Sequence, residues 1–483
     1  MGGSVNPILR RVIWASATRS FWINGLRLTD DYWTGLIPRL DTGWAGGELR
    51  LAKRNEEFDG PQWFDDGFPH IWLPYTQMKT EPLAVPVQKT QGSHIYLADG
   101  RELIDGMASW WTACHGYNHP HIRRAVEKQL KTMPHIMFGG LVHEPALSLA
   151  AKLVKLLPSP LNRVFFSESG SVSVEIAIKM AVQYWINNGK TGKTRIISFR
   201  GGYHGDTLGA MSICDPEEGM HSLFQGALLP QHVVPLPQGS SGFENFESFL
   251  KNHATESAAV IIEPLIQGAG GMLMHNVECL RTIRQLCKRH DLLLIFDEIF
   301  TGFGRTGHMF ALEEAEIVPD IVTLSKALTG GTMALSATIA VDQVFEAFLS
   351  MDESKALMHG PTYMANPLAC AAANASIELF EQEPRMQQVA VIEDRLQEFL
   401  EVARSLPRVS DVRVKGAVGV VELAGPLPVD LLRRRFIEMG VWIRPFGNII
   451  YLTPAFTISE DQLQYLTDCI IQVVNQLPDL REA

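Results

Sequence analysis

The 483 residues, 46% of them hydrophobic, hold material for a large core and a length that ordinarily divides into two or more domains. A formal net charge of -11 argues against a nucleic-acid or anionic-membrane surface, because phosphate groups are held by clustered Lys and Arg, and leaves small molecules as the expected partners. Six cysteines without C-x-x-C spacing fit neither a zinc site nor a disulfide framework and point to a reducing compartment, and no apolar run approaches the ~20 residues of a membrane-spanning helix.

Residues 1–65 read differently from the rest. Arg10, Arg11, Arg19 and Arg27 precede the first acidic residue, Asp30, and Trp14, Trp22, Trp33 and Trp44 follow no sustained period. An organelle-targeting segment, a dispensable extension and upstream sequence translated from a misassigned start all fit, and no function is assigned to it. The expected location is cytoplasmic, or mitochondrial if the segment is a targeting one.

From about Ile71 the pattern becomes regular. A β unit comes first, with HIYLA at 94–98, an Asp99-Gly100 turn and RELIDG after it. Apolar runs of strand length then recur at 163–166, 196–199, 258–262, 292–296, 321–324 and 337–341, mostly with helical stretches between them. Such alternation predicts an α/β domain over 125–365 with a mainly parallel sheet buried on both faces. A long helical pattern runs from Pro367 to about Leu406, with Asn366 as N-cap and proline at the first helical position. Short strands at 418–423 and 449–453 and a terminal helix complete the chain. Residues 66–124 and 366–483 are taken together as a smaller α+β domain.

In open α/β sheets ligands bind beyond the carboxyl ends of the strands, so the residues that follow each apolar run are the informative ones. LLLIF ends in Asp297-Glu298, and IVTL ends in Ser325-Lys326. A carboxylate and an amine at neighbouring strand ends suit pyridoxal chemistry: the lysine bonds to the aldehyde and shuttles the proton, while the carboxylate keeps the pyridine nitrogen protonated. A salt bridge at a sheet edge is the plain alternative. Glycines flanking both sites favour the first reading, since they clear room for a flat ring. RVFF leads into Ser167-Glu-Ser-Gly-Ser171, where Gly170, Ser171 and Val172 would offer N–H groups at a helix start, either a phosphate cradle or a plain serine cap. IISF leads into a glycine-flanked Tyr203, suited to lie on an aromatic ring. His204 has no second ligand spaced for a metal and is read as structural, so no metal centre is expected.

Together SGS, FRGGYHGDT, LIFDEIFTGFGRTG and LSKALTGG closely resemble the class-III pyridoxal-phosphate aminotransferases, from about Ile71 to Leu477. The resemblance implies the fold-type I architecture and pyridoxal 5'-phosphate as cofactor. It implies Lys326 as the Schiff-base lysine, Asp297 on the pyridine nitrogen, Tyr203 stacked on the ring, and Gly170, Ser171, Pro361 and Thr362 around the phosphate. In that family the threonine comes from the neighbouring subunit, which implies a homodimer with shared sites.

Within the family, IWLPYTQM at 71–78, DGMASWWTACHGYNHP at 105–120, MFGG at 137–140, GPTYMANPLACAAANASIELF and VWIRPFGNIIYLTP at 441–454 resemble one branch in particular. Its members move the amino group of S-adenosylmethionine to 8-amino-7-oxononanoate, making 7,8-diaminononanoate for biotin. An apolar chain ending in a carboxylate wants aromatic walls and one guanidinium. Arg444 is the candidate clamp, Tyr75, Trp110 and Trp111 the walls, and Gly360 a further substrate contact. The alternative places both tryptophans in the core and Arg444 in a surface ion pair. Relatives acting on ornithine or γ-aminobutyrate carry Glu after Gln-Gly or Gln-Ser, whereas this chain reads Gln267-Gly268-Ala269. Arg305 is thereby left either free or structural. Lysine in place of S-adenosylmethionine as donor, another class-III activity, and a non-catalytic module remain the rival readings. Intact Lys326 and Asp297 speak against the last.

Overall fold

The strand-length runs of the middle of the chain pair side by side, because each is apolar throughout and can lose water on both faces only inside a covered sheet. In the computed structural model, which describes residues 20–23, 26–29, 60–80, 84–217 and 222–477, they form one seven-stranded sheet. The elements used below are β1 (Val87–Gln91), β2 (His94–Leu97), β3 (Glu102–Asp105), β4 (Leu161–Ser167), α1 (Gly170–Asn187), β5 (Arg195–Phe199), β6 (His232–Val234), β7 (Ser257–Ile262), β8 (Leu293–Asp297), β9 (Ile321–Leu324) and β10 (Ser336–Val341). They continue with α2 (Pro367–Gln382), α3 (Arg385–Glu401), β11 (Val409–Lys415), β12 (Val418–Leu423), α4 (Val429–Glu438), β13 (Val441–Trp442), β14 (Ile449–Leu452) and α5 (Glu460–Gln476).

The large sheet has the order β4-β10-β9-β8-β7-β5-β6. The pairings among β9, β8, β7, β5 and β6 are all parallel, and β10 runs antiparallel to both of its neighbours, β9 and β4. Every residue of β7, β8, β9 and β10 is buried, as the unbroken apolar runs required. Asp297 closes β8 directly opposite Thr323 of β9, and two residues beyond Thr323 the chain reaches Ser325-Lys326. The carboxylate and the amine therefore emerge side by side.

The β unit expected near residue 94 is the antiparallel meander β1-β2-β3, to which β13 adds a parallel fourth strand, Val441 opposite Ile104 and Trp442 opposite Asp105. β11, β12 and β14 make a separate antiparallel sheet. The helical pattern expected as one element from Pro367 to Leu406 is two helices. Asn366 caps α2 with its side chain, accepting from the amides of Leu368 and Ala369 at 3.1 Å each, as expected. Glu383 then takes an extended conformation before Pro384, which ends α2 because the proline ring disfavours a helical residue before it.

The readings of residues 1–65 fall almost wholly outside the described residues. The exceptions are a short antiparallel pair, Ser20–Ile23 with Leu26–Thr29, and the residues from Gly60 onward. The six cysteines are free and buried. Among the described residues no helix is long and apolar enough to cross a membrane.

Candidate active site

Asp297 is buried at the end of β8 and is held from three sides. His204 Nδ1 lies 2.7 Å from one carboxylate oxygen, while the Thr323 hydroxyl and the Ile299 amide each reach the other at 3.2 Å. His204 is also buried. Burial alone would lower its pKa, but the hydrogen bond and charge of Asp297, with Glu263 behind, raise it above the usual histidine value. Read from sequence as structural, His204 is thus the immediate partner of the candidate ring-nitrogen carboxylate. Glu263, directly after β7, accepts from the amides of Tyr203 and Gly268 at 2.9 Å each. Burial pushes its carboxyl up to about 7.

Lys326 stands in the left-handed region at φ 49°, which for a non-glycine residue stores strain. Its Nζ lies 4.1 Å from the centroid of the Trp111 ring and 5.9 Å from that of Phe300, and among the described residues it has no hydrogen-bond partner. Burial lowers this amine to about 8, although Asp297, Glu263 and Asp206 pull the other way. The residue keeps partial contact with solvent. An ammonium in such surroundings loses hydration that the Trp111 face and the carboxylates only partly replace, so the neutral amine is reached at a lower pH than for an ordinary lysine.

Ser169 caps α1 and accepts from the Val172 amide at 3.3 Å. Val172 is thereby taken, a correction to the cradle expected from sequence, while the amides of Gly170 and Ser171 remain first-turn donors without a helical acceptor. The Ser171 hydroxyl accepts from the Asp206 amide at 3.1 Å. Gly205 packs so closely that a Cβ there would lie 2.3 Å from the Ser171 oxygen, so only glycine lets the Tyr203 loop approach the helix start.

The Tyr203 hydroxyl donates to Asp206 at 2.9 Å and lies 3.3 Å from the Tyr75 hydroxyl, which also donates to Asp206. Burial and then the Asp206 bond push Tyr75 up to about 12, so it stays a neutral donor. Across from it, the Tyr75 and Trp110 rings meet edge to face at 6.4 Å, and the Arg444 guanidinium lies over Trp110 at 4.5 Å. Arg444 has no acidic partner among the described residues, which removes the surface ion-pair reading. The two tryptophans separate in role: Trp110 is 41% exposed on the cleft wall, whereas Trp111 is buried beneath Lys326, 4.4 Å from Phe300. Both ride on a turn in which Ala108, Ser109, Trp110 and Trp111 all have φ between 45° and 74°. Consecutive left-handed L-residues cost roughly 1–2 kcal/mol each, so the surrounding contacts must hold this turn.

Arg305 is structural. It is buried, donates to the carbonyls of Ala417 at 3.1 Å and Pro454 at 2.8 Å, and stacks on Phe456. Gln267 is buried and donates to the Arg200 carbonyl at 2.8 Å, so this position holds the Tyr203 loop. Gly360, Pro361 and Thr362 are not brought to Lys326 by any contact among the described residues. Their loop is anchored instead on α1, where Lys179 donates to the Met358 carbonyl at 2.8 Å, and Gly360 and Thr362 are exposed. Asp206, Glu263 and Phe300 were missed in the sequence. Glu263 follows an apolar strand and was open to the rule applied to Asp297, whereas Asp206 and Phe300 gain their places only through loop closure.

Residues 75–474 match the family model described as aminotransferase class-III. The chain is 44% identical over 413 residues to the adenosylmethionine-8-amino-7-oxononanoate aminotransferase of Mycobacterium leprae, covering 84% of this chain and 94% of that one. Among solved structures it is similar to the enzyme of that name from Methanocaldococcus jannaschii, with TM-score 0.80 and 34% identity over 85% of this chain and 97% of the other. An amine transaminase from an uncultivated Pseudomonas species, solved with PLP bound, matches with TM-score 0.78 and 30% identity, over 83% and 97% of the two chains.

Proposed function

The chain belongs to the class-III aminotransferase family, and we propose that it transfers the amino group of S-adenosylmethionine to 8-amino-7-oxononanoate, with pyridoxal phosphate as cofactor, in biotin synthesis. The names of its relatives support the substrates. The observation that carries the reading is the Arg444 guanidinium over the Trp110 ring, which Tyr75 also meets, while the adjacent Trp111 lies under Lys326 Nζ. A half-buried cation with no acidic partner among the described residues fits a ligand that brings its own carboxylate.

The residues present fit the cofactor. Lys326 is an unpartnered amine lowered to about 8, Asp297 is a buried carboxylate braced by His204, and the glycine-tight start of α1 offers two amides to a phosphate. When bound, pyridoxal phosphate supplies an aldehyde carbon for amine exchange and a ring that accepts the electron pair released at the substrate carbon. Lys326 Nζ would hold the group and, once displaced by the substrate amine, would serve as the acid–base at the substrate carbon. Asp297 favours a proton on the ring nitrogen. The Tyr203 ring would lie against the cofactor ring, its loop fixed by Glu263 and Gln267. Tyr75 and Asp206 offer a hydroxyl and a carboxylate to the donor's polar groups, and Arg444 orients the acceptor's terminal carboxylate. Donor and acceptor occupy the cleft in turn.

The same reading assigns residues 125–365 to the cofactor-binding domain and 66–124 with 366–483 to the smaller one. It is supported by the large sheet drawing only on Leu161–Val341 and the two smaller sheets only on Val87–Asp105 and Val409–Leu452. A homodimer follows, with the partner subunit's Thr362 completing the phosphate site, in keeping with its exposure here and that of Met358 and Tyr363. The free cysteines support the cytoplasmic reading.

Incubation of the cofactor-loaded chain with S-adenosylmethionine and 8-amino-7-oxononanoate, followed by mass spectrometry, tests the assignment. Formation of 7,8-diaminononanoate that depends on S-adenosylmethionine is expected. Product formed only when lysine replaces it overturns the donor, and no product with either overturns the reaction.

A further inference from the structure

The sequence 105–120 contributes more to the cleft than its two tryptophans. Asp105, the last residue of β3, is 1% exposed, and three donors converge on its carboxylate. The Met107 amide reaches one oxygen at 2.7 Å, while the Ser109 amide at 3.2 Å and the Tyr117 hydroxyl at 2.6 Å reach the other. Both amides belong to the turn that leads into the left-handed residues 108–111. The turn's own bonds follow, from Trp111 N to Met107 O at 3.0 Å and from Thr112 N to Ala108 O at 2.8 Å. The Thr453 hydroxyl reaches the Met107 carbonyl at 3.3 Å, and a Cβ on Gly331 would lie 2.8 Å from the Thr112 hydroxyl oxygen, so the turn is also braced from the Lys326 side. Beside Asp105 runs β13, with Trp442 as its partner, and two residues further on stands Arg444. Asp105 thus pairs through its backbone with the strand that leads to the guanidinium and ties through its carboxylate the turn that carries both rings.

We propose that Asp105, steadied by Tyr117, is the positioning residue of the substrate cleft: its carboxylate holds the left-handed turn in which Trp110 meets Arg444 and Trp111 underlies Lys326. Backbone left-handed at four L-residues reverts to ordinary conformations unless its amides are tied, and an anionic acceptor for two of them supplies that tie. The proposal rests on the cleft being the substrate site; its spectroscopic test does not.

Asp105→Asn and Tyr117→Phe, in the full chain, test it. Asn keeps the size but replaces one acceptor oxygen with a donor. It should raise the KM for 8-amino-7-oxononanoate about tenfold or more, with kcat falling less, and Tyr117→Phe should raise it about threefold. In the cofactor-free protein, the tryptophan emission of Asp105→Asn should move to longer wavelength as Trp111 gains water. Adding Ser109→Gly to Asp105→Asn should recover part of the KM, because glycine at φ 52° needs no tie. A merely structural carboxylate would not be relieved in this way. If Asp105→Asn does not fold, Tyr117→Phe alone decides. Wild-type KM and unchanged emission in the variants that fold overturn the proposal. A wild type that does not accept 8-amino-7-oxononanoate sinks the substrate reading instead, and the emission shift then still decides the role of Asp105.

Discussion

Lys326 carries the sharpest residue-level expectation. An ordinary lysine amine titrates near 10.4, and burial lowers this one to about 8. Capture of an aldehyde needs the neutral amine, so the rate at which cofactor-free protein takes up pyridoxal phosphate should climb with pH through about 8 and level off above it. Stopped-flow absorbance across pH 6–10 checks this; a rate still climbing about tenfold between pH 8.5 and 9.5, as an ordinary lysine would give, would contradict the shift. Arg444→Ala should raise the KM for the carboxylate-bearing acceptor roughly 10- to 100-fold, the usual worth of a charge-assisted hydrogen bond, and leave an amine donor without a carboxylate unaffected. Asp297→Asn should cut kcat about 10²- to 10³-fold, because the preorganised charge opposite the ring nitrogen is lost. Lys326 and Asp297 were legible because a charged residue ending an apolar strand is rare and strand ends face the ligand. Asp206 was not. Its link to Tyr75 joins residues 131 positions apart, which no local pattern encodes.

At the scale of elements, helix boundaries follow local chemistry and strands follow burial. Ser459 begins α5 with a reciprocal capping box, its hydroxyl accepting from the Gln462 amide while the Gln462 side chain accepts from the Ser459 amide. Ser459→Ala should therefore cost about 0.5–2 kcal/mol in denaturant unfolding, with no change in KM. The central strands were readable as apolar runs, since both faces of each are covered. β11, VSDVRVK, was not, because only Val412 of the strand is fully buried and its charges pair along the sheet edge, Arg413 with Asp411 and Glu422. The split of the 367–406 pattern was available in Pro384 and was passed over because the apolar period continues across it. Nothing in the composition of ASWW announces a left-handed turn; that conformation is imposed by contacts from β3, Tyr117 and Thr453.

For the whole molecule, the proposed completion of the site between two copies has a direct consequence. Neither Lys326→Ala nor Thr362→Glu chains should be active alone, yet co-refolding them yields hybrid dimers with one intact site, recovering at most about a quarter of wild-type activity. No recovery would place the phosphate site within one chain. Of the global architecture, the parallel sheet and its ligand-bearing edge were visible in sequence; the pairing of β13 with β3, which brings Arg444 to the tryptophan turn, joins two ends of the chain and was not. The most direct test of the account is the visible absorption of the cofactor-loaded protein on addition of S-adenosylmethionine alone, with Lys326→Ala beside it. The account predicts that the bound cofactor's visible band bleaches in the wild type and returns with 8-amino-7-oxononanoate, while the variant does not respond. A wild type that binds the cofactor and keeps its band unchanged with this donor would contradict it.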